Sequence, residues 1–245
     1  GRNGKKNVCL KPIERKVGYV FQNISLFPHM NIQDNVAYGL KSLNLSKQEV
    51  NKRTEKSMEF VGIRDCARLW PRQLSGGQKQ RTALARSLAT EPQMLLLDEP
   101  VSAVDPQLRE SFRLELKSHL RKLNITVVYV THNLSEAFVM SDRIAVMGKG
   151  HVEQIGSGAE IFDRPASSYV AKFLGINALN GKAVGVEGGF LVVDVNGVGL
   201  KASSAPSLVG KKVVATIKPE DITLRKPQKT FKQLSENSVE GVIVE

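Results

Sequence analysis

Asp98 and Glu99 stand side by side in EPQMLLLDEP, directly behind the uninterrupted apolar run of residues 94–97. A short run of this kind is expected of a parallel strand buried on both faces. In an open parallel sheet the carboxyl ends of the strands border the ligand crevice, so the two carboxylates are placed for chemistry. Adjacent residues leave a strand in opposite directions, which permits separate duties. One carboxylate can hold Mg²⁺, directly or through its waters, while the other polarises an attacking water. Taken alone, the pair also reads as a solvated loop ahead of Pro100. His132 favours a site, because it follows a second buried run, ITVVYV, at the matching end. Two strands then bring titratable groups to one edge.

A second stretch, LSGGQKQRTALARSL, places Gly76 and Gly77 where a helix begins. Glycine costs roughly 1 kcal/mol against alanine inside a helix, so the pair needs a reason. Without Cβ atoms, the amides of Gly76 and Gly77 can approach a ligand closely. Ser75 adds a hydroxyl, and the positive end of the helix points at the same place. That describes an anion site, with phosphate the obvious anion. Close helix packing is the competing explanation.

The elements that must position these residues are legible nearby. Ser46 and Glu49 have capping-box spacing, and Val50, Met58 and Val61 share a helical face. A helical insert therefore separates the opening strand, VGYVF, from the Gly-Gly stretch. Pro106 opens a helix with Leu108, Phe112, Leu116, Leu120 and Leu123 along one face, and strand–helix–strand makes a parallel βαβ unit. RIAVM and HVEQIG flank a GKG turn as a hairpin, and ASSYVAKFLG reads as a closing helix. Beyond Ile176 short Val-rich runs (FLVVDV, VGLKA, KVVATI, DITL) replace helical periodicity, as in a small β domain of barrel style. The expected division is residues 1–175 and residues 176–245. NSVEGVIVE near the end echoes NALNGKAVGVE, from Asn177 to Glu187, as an interrupted second copy of one unit. That echo and the start at Gly1 suggest a fragment.

Composition sets the outer bounds. The 245 residues are 41% hydrophobic and 24% charged, as in a globular protein. No apolar run approaches the roughly 18 residues needed to cross a bilayer. The first residues are basic and polar, unlike a signal peptide. Cys9 and Cys66 lack a CxxC partner, which fits a reducing compartment better than a disulfide. The net charge of +11 is partly gathered at Lys5, Lys6, Lys11, Arg15 and Lys16. Without interleaved aromatics this reads as a solvated basic face rather than a surface for nucleic acid or anionic membrane.

LSGGQ followed by QR and an Ala-rich helix, then LLLDEP, SAVD and a strand ending in TH, resembles the nucleotide-binding subunit of ABC transporters. The resemblance covers residues 1–175 and continues more weakly to the end. It implies a P-loop NTPase-type α/β core, a parallel sheet with a helical subdomain, followed by a small all-β domain like an oligonucleotide-binding fold. It also implies ATP and Mg²⁺ as cofactors. Gln22 is similar to the Q-loop glutamine that senses Mg²⁺ and the attacking water. Ser75, Gly76, Gly77 and Gln78 resemble the signature that closes over ATP on the opposite subunit. Asp98 is similar to the aspartate on Mg²⁺, Glu99 to the general base and His132 to the switch histidine. Asp105 falls at the loop that crosses the dimer interface. The loop GxxxxGK[ST], which the family places ahead of the Q-loop, does not occur in these residues. Cradling phosphate is that loop's task, so the fragment alone is expected to be inactive.

Only about fifty residues, without sustained heptads, separate Gln22 from the signature, unlike the coiled-coil inserts of DNA-repair relatives. A transporter subunit without nucleic acid as partner follows. A degenerate, non-catalytic subunit is the remaining alternative. FQNISLFPHMNIQDNVAYGL resembles the importer type, with Phe27, Pro28 and His29 either near the groove for the membrane subunit or in a simple turn. IKPEDITL is similar to a stretch shared by molybdate/tungstate, spermidine and ferric-iron importers; sugar importers share the layout. VAKFLGINALNGKA leans toward molybdate or tungstate, with an oxyanion as ligand of the C-terminal domain. The implied partners are permease subunits and a second copy of the chain, at the cytoplasmic face of the membrane.

Overall fold

The computed structural model describes residues 2–3, 6–7, 10–203, 205–222 and 237. Lys5, Cys9 and most of the NSVEGVIVE echo lie outside them. Two compact units are present, Gly1–Ser141 and Asp142–Glu245.

The first unit opens with β1 (Arg2–Asn3) paired antiparallel to β2 (Lys6–Asn7). Its centre is a parallel sheet of β3 (Val17–Val20), β4 (Met94–Asp98) and β5 (Thr126–Val130), in the order β3-β4-β5. Register runs from Val17 opposite Met94 to Asp98 opposite Val130. The helices are α1 (Ile32–Ala37), α2 (Lys47–Phe60), α3 (Gly76–Ala89), α4 (Arg109–Leu123) and α5 (Leu134–Met140). The predicted helical insert is therefore present as α2, and α4 completes the βαβ unit.

One core holds this unit together. Val20, Leu95 and Leu97 of the sheet pack with Val36, Met58 and Leu84 of the helical layer. Burial alternates along each strand, and this corrects the expectation of strands buried on both faces. Leu95 and Leu97 are buried, but Leu96 is only half-buried, and Val128 and Val130 on β5 are 43% and 52% exposed. The helices cover one face, and among the described residues nothing of comparable size covers the other. Leu108 also departs from its expected face: it is exposed in the 3₁₀ turn Pro106–Leu108, where the α-helical period is not kept, while Phe112 and Leu116 are buried. At α2 only half of the capping box forms. The Ser46 hydroxyl accepts the Glu49 N–H at 3.2 Å, but the Glu49 carboxylate accepts from Arg53 Nε at 2.7 Å. A charge-assisted bond one turn on outcompetes the neutral backbone donor.

The second unit begins with the expected hairpin, β6 (Ile144–Gly148) and β7 (His151–Gly156). Lys149 and Gly150 both have positive φ, as a primed two-residue turn requires. Then follow α6 (Gly158–Asp163), α7 (Ser168–Phe173), β8 (Asn177–Glu187), β9 (Phe190–Val195), β10 (Val198–Ala202) and β11 (Lys212–Ile217). The last four strands form an antiparallel sheet of order β10-β9-β8-β11. Among the described residues this sheet is open rather than a closed barrel. Of DITL, Asp221 ends a 3₁₀ turn and Ile222 follows it, and the other two residues lie outside the described set. Two small cores serve this unit, one around Val146, Ile161 and Val170 and one around Ala183, Leu191 and Val193. The sequence boundary at Gly175 falls between them.

Candidate active site

Three consecutive strands deliver the site. Gln22 lies two residues beyond β3, Glu99 directly after β4 and His132 two residues beyond β5. The Glu99 N–H donates to the Val130 carbonyl at 3.0 Å, extending the ladder one residue past Asp98. There the chain turns sharply, with Glu99 at φ +45°. A non-glycine residue in that region carries strain that surrounding contacts must hold. They do so through the carboxylate: Gln22 Nε2 donates to one oxygen at 2.8 Å, and His132 Nδ1 lies 2.7 Å from the other. A carboxylate only accepts, so the proton of that bond sits on His132 Nδ1. The imidazole is otherwise open, with its side chain 81% exposed.

Asp98 faces elsewhere, as the alternation predicts. Its carboxylate accepts from the Tyr19 hydroxyl at 3.2 Å. Desolvation and the Asp98 charge raise the Tyr19 phenol above its ordinary value, so it remains a donor. Among the described residues no three His, Cys, Asp or Glu side chains gather to hold a metal. Mg²⁺ does not need such a cage, because it usually takes one or two carboxylates plus waters and substrate phosphates. Asp98 and the amide oxygen of Gln22, whose nitrogen is engaged with Glu99, fit that pattern.

The segment carrying His132 is braced from behind. Thr131 and Tyr129 donate to Glu136 at 2.8 and 3.2 Å, and Asn133 caps α5 by accepting the Glu136 N–H at 3.1 Å. Burial, then the Glu136 charge, push the Tyr129 phenol well up. Asn133 is thus a helix cap, with a structural reason to follow the histidine.

Sequence reasoning missed Arg86. Its guanidinium donates to the carbonyls of Ser25 at 2.8 Å and Ile24 at 3.1 Å and lies over the Phe27 ring at 5.5 Å. Ile24 and Ser25 both have positive φ, so Arg86 fastens a strained loop just after Gln22 to α3. The available signal was an arginine in ALARSLA with no acid three or four residues away. Asn35 was missed as well. Fully buried, it accepts from the Phe27 N–H and donates to the carbonyls of Phe27, Met30 and Asn31. Phe27, Pro28 and His29 do form a turn, and the Phe27 ring packs 4.3 Å from that of Tyr38.

The signature is built differently. Ser75 caps α3, its hydroxyl accepting the Gln78 N–H at 3.3 Å while Gln78 Oε1 accepts the Ser75 N–H at 2.9 Å. This reciprocal box satisfies two orphan donors. The two glycines then part company. A Cβ on Gly76 would stand 2.2 Å from the Ala103 carbonyl oxygen, whereas one on Gly77 would meet nothing within 4 Å. Close packing explains Gly76, and only Gly77 leaves its backbone open to an approaching ligand. Asp105 accepts the Gln107 N–H at 2.9 Å, capping the 3₁₀ turn ahead of α4. Among the described residues no hydrogen bond joins the signature to the Gln22–Glu99–His132 cluster.

A parallel α/β sheet with its acidic pair and histidine on adjoining strand ends is consistent with the P-loop NTPase class. A family model described as "ABC transporter" matches residues 3–102. The spermidine/putrescine import ATP-binding protein PotA of Thermobifida fusca (strain YX) is 45% identical over 226 residues, 91% of this chain and 59% of that protein. Its namesake from Roseobacter denitrificans (strain ATCC 33942 / OCh 114) is 41% identical over 98% of this chain and 67% of its own length. The Fe(3+) ions import ATP-binding protein FbpC of Rhizobium etli (strain ATCC 51251 / DSM 11541 / JCM 21823 / NBRC 15573 / CFN 42) is 42% identical over 90% and 63%. The chain belongs to the ATP-binding proteins of ABC transporters. It spans about three-fifths of the length of the curated relatives it matches.

Proposed function

We propose that the parent protein hydrolyses ATP to drive solute import, as a peripheral subunit on the cytoplasmic face of the membrane. The observation that carries this reading is Glu99, held between Gln22 and His132 at three successive strand ends. Glu99 is the general base. His132 keeps its carboxylate oriented and contacts the γ-phosphate. Asp98 and Gln22 hold Mg²⁺, which when bound neutralises phosphate charge. Ser75, Gly77 and Gln78 face the nucleotide of a second copy, for which their present self-capping bonds open. Gly76 lets α3 start against the Ala103 carbonyl, and Asp105 lies at the junction of the two copies. The phosphate-cradling loop GxxxxGK[ST] does not occur in these residues. No helix among the described residues is long and apolar enough to cross a membrane, so passage of solute falls to permease subunits, docked near Phe27, Pro28 and His29.

For the solute, a polyamine is the reading with the broader support, because the Roseobacter relative matches 98% of the chain, including the β region. Molybdate or tungstate, with an oxyanion on the C-terminal domain of residues 176–245, rests on VAKFLGINALNGKA alone. Uptake of labelled spermidine against labelled molybdate in a strain lacking the parent gene separates the two.

The test of the ATPase reading is Glu99→Gln in the intact protein. Turnover is expected to fall at least about a hundredfold, while ATP-dependent pairing of two copies persists. Substantial remaining hydrolysis would remove Glu99 from the role of base.

A further inference from the structure

At the opposite end of the parallel sheet lies a cavity of about 380 Å³. It opens beside Pro92, just ahead of β4, and Ile125, just ahead of β5. Five-residue strands at about 3.3 Å per residue put it roughly 16 Å from the carboxyl ends that carry Glu99 and His132. Nothing in the ATPase reading uses it.

The walls combine two chemistries. Phe60 of α2, Leu88 of α3, and Leu123 and Ile125 around the end of α4 give an apolar interior. Lys56 and Lys122, both exposed, stand at its mouth from different helices, and neither has an ion pair or hydrogen bond among the described residues. Arg53 also lines the space, but it is already engaged by Glu49 at 2.7 Å and Glu91 at 3.0 Å. Arg53 with its two glutamates sums to −1, and the two lysines leave the mouth at +1. Ser57, buried in the α2 wall, keeps a hydroxyl with no hydrogen bond among the described residues. Pockets of 300–1,000 Å³ with apolar walls and a few convergent polar groups are the usual form of a small-molecule site.

We propose that this cavity binds a small amphipathic monoanion, with a ring-sized apolar body against Phe60, Leu88 and Ile125 and its carboxylate or phosphate between Lys56 and Lys122. The ligand would bridge α2, the far end of the signature helix α3 and the turn into β5. The Ser57 hydroxyl supplies a further donor inside.

The test is calorimetric titration of the full-length protein with 2-naphthoate, using neutral 2-naphthamide as control. Saturable one-to-one binding is expected, with the amide weaker. Lys56→Glu and Lys122→Glu should each weaken naphthoate about tenfold or more, and both side chains are exposed enough to be changed without disturbing the core. Ser57→Leu, which narrows the cavity, should weaken both probes. ATP should not displace naphthoate. Absence of saturable binding, equal affinity for the amide, indifference to the double lysine reversal, or displacement by ATP would each overturn the proposal.

Discussion

The strand-end cluster and the start of α3 handle polar groups in opposite ways. At the strand ends, Gln22, Glu99 and His132 come from distant parts of the chain and depend on one another. The strained Glu99 backbone is held by bonds that its own side chain makes. At α3, Ser75 and Gln78 satisfy each other within one helical turn. The first region is preorganised by tertiary structure, and the second is locally self-sufficient and presents itself outward. A cluster that assembles in one copy and a capped helix start that waits for another object is the division of labour expected of two half-sites. On that proposal no hydrogen bond between them is expected within one copy, and none joins them among the described residues.

Ser75→Arg challenges this contrast most severely. Placing a guanidinium at the outward face should abolish turnover in the intact protein while leaving nucleotide binding at the strand-end side unchanged, measured by ATPase assay and equilibrium binding. Normal turnover would remove the outward role. Next in size is His132→Ala. Loss of the Glu99 partner should lower turnover about a hundredfold with little change in melting temperature, since the ring is mostly in solvent.

The two glycines sharpen the contrast within α3 itself. Gly76→Ala drives a Cβ into the Ala103 carbonyl and should cost about 1–3 kcal/mol of stability, as overpacking does. Gly77→Ala has free space and should hold or slightly raise stability while lowering turnover. Denaturant titration with the ATPase assay distinguishes them, and equal stability losses would contradict the assignment. The smallest effect concerns His119, whose imidazole is held below its ordinary value of 6.5 chiefly by burial. With the folded value depressed, the unfolded chain takes up the proton first. Stability should therefore be unaffected above about pH 6.5 and be lost as pH falls from there toward the folded value. His119→Gln should flatten that loss in melting scans.

Legibility followed the range of the interactions. Asp98, Glu99 and His132 could be read because apolar runs mark strands and parallel sheets align their carboxyl ends. The turn at Gly150 is local and equally plain, whereas the cap at Ser75 went unread, because its hydroxyl suited an anion site as well. Arg86 and Asn35 were not, since their partners are backbone carbonyls and amides that carry no side-chain signature. The bare face at Val128 and Val130 escaped notice because an apolar run reports that burial is suited, without saying what covers it. Capping-box spacing at Glu49 misled for a related reason: Arg53, one turn further on, competes for the same carboxylate.

Mixed dimers test the two-half-site account most directly. One protomer carries Glu99→Gln and the other Ser75→Arg; a second dimer places both changes in one protomer beside an unchanged partner. If each site joins one copy's Glu99 to the other's Ser75, the first dimer retains one intact site and measurable ATP turnover, and the second retains none. Turnover in the second dimer and silence in the first would place both groups in the same copy's site and contradict the account.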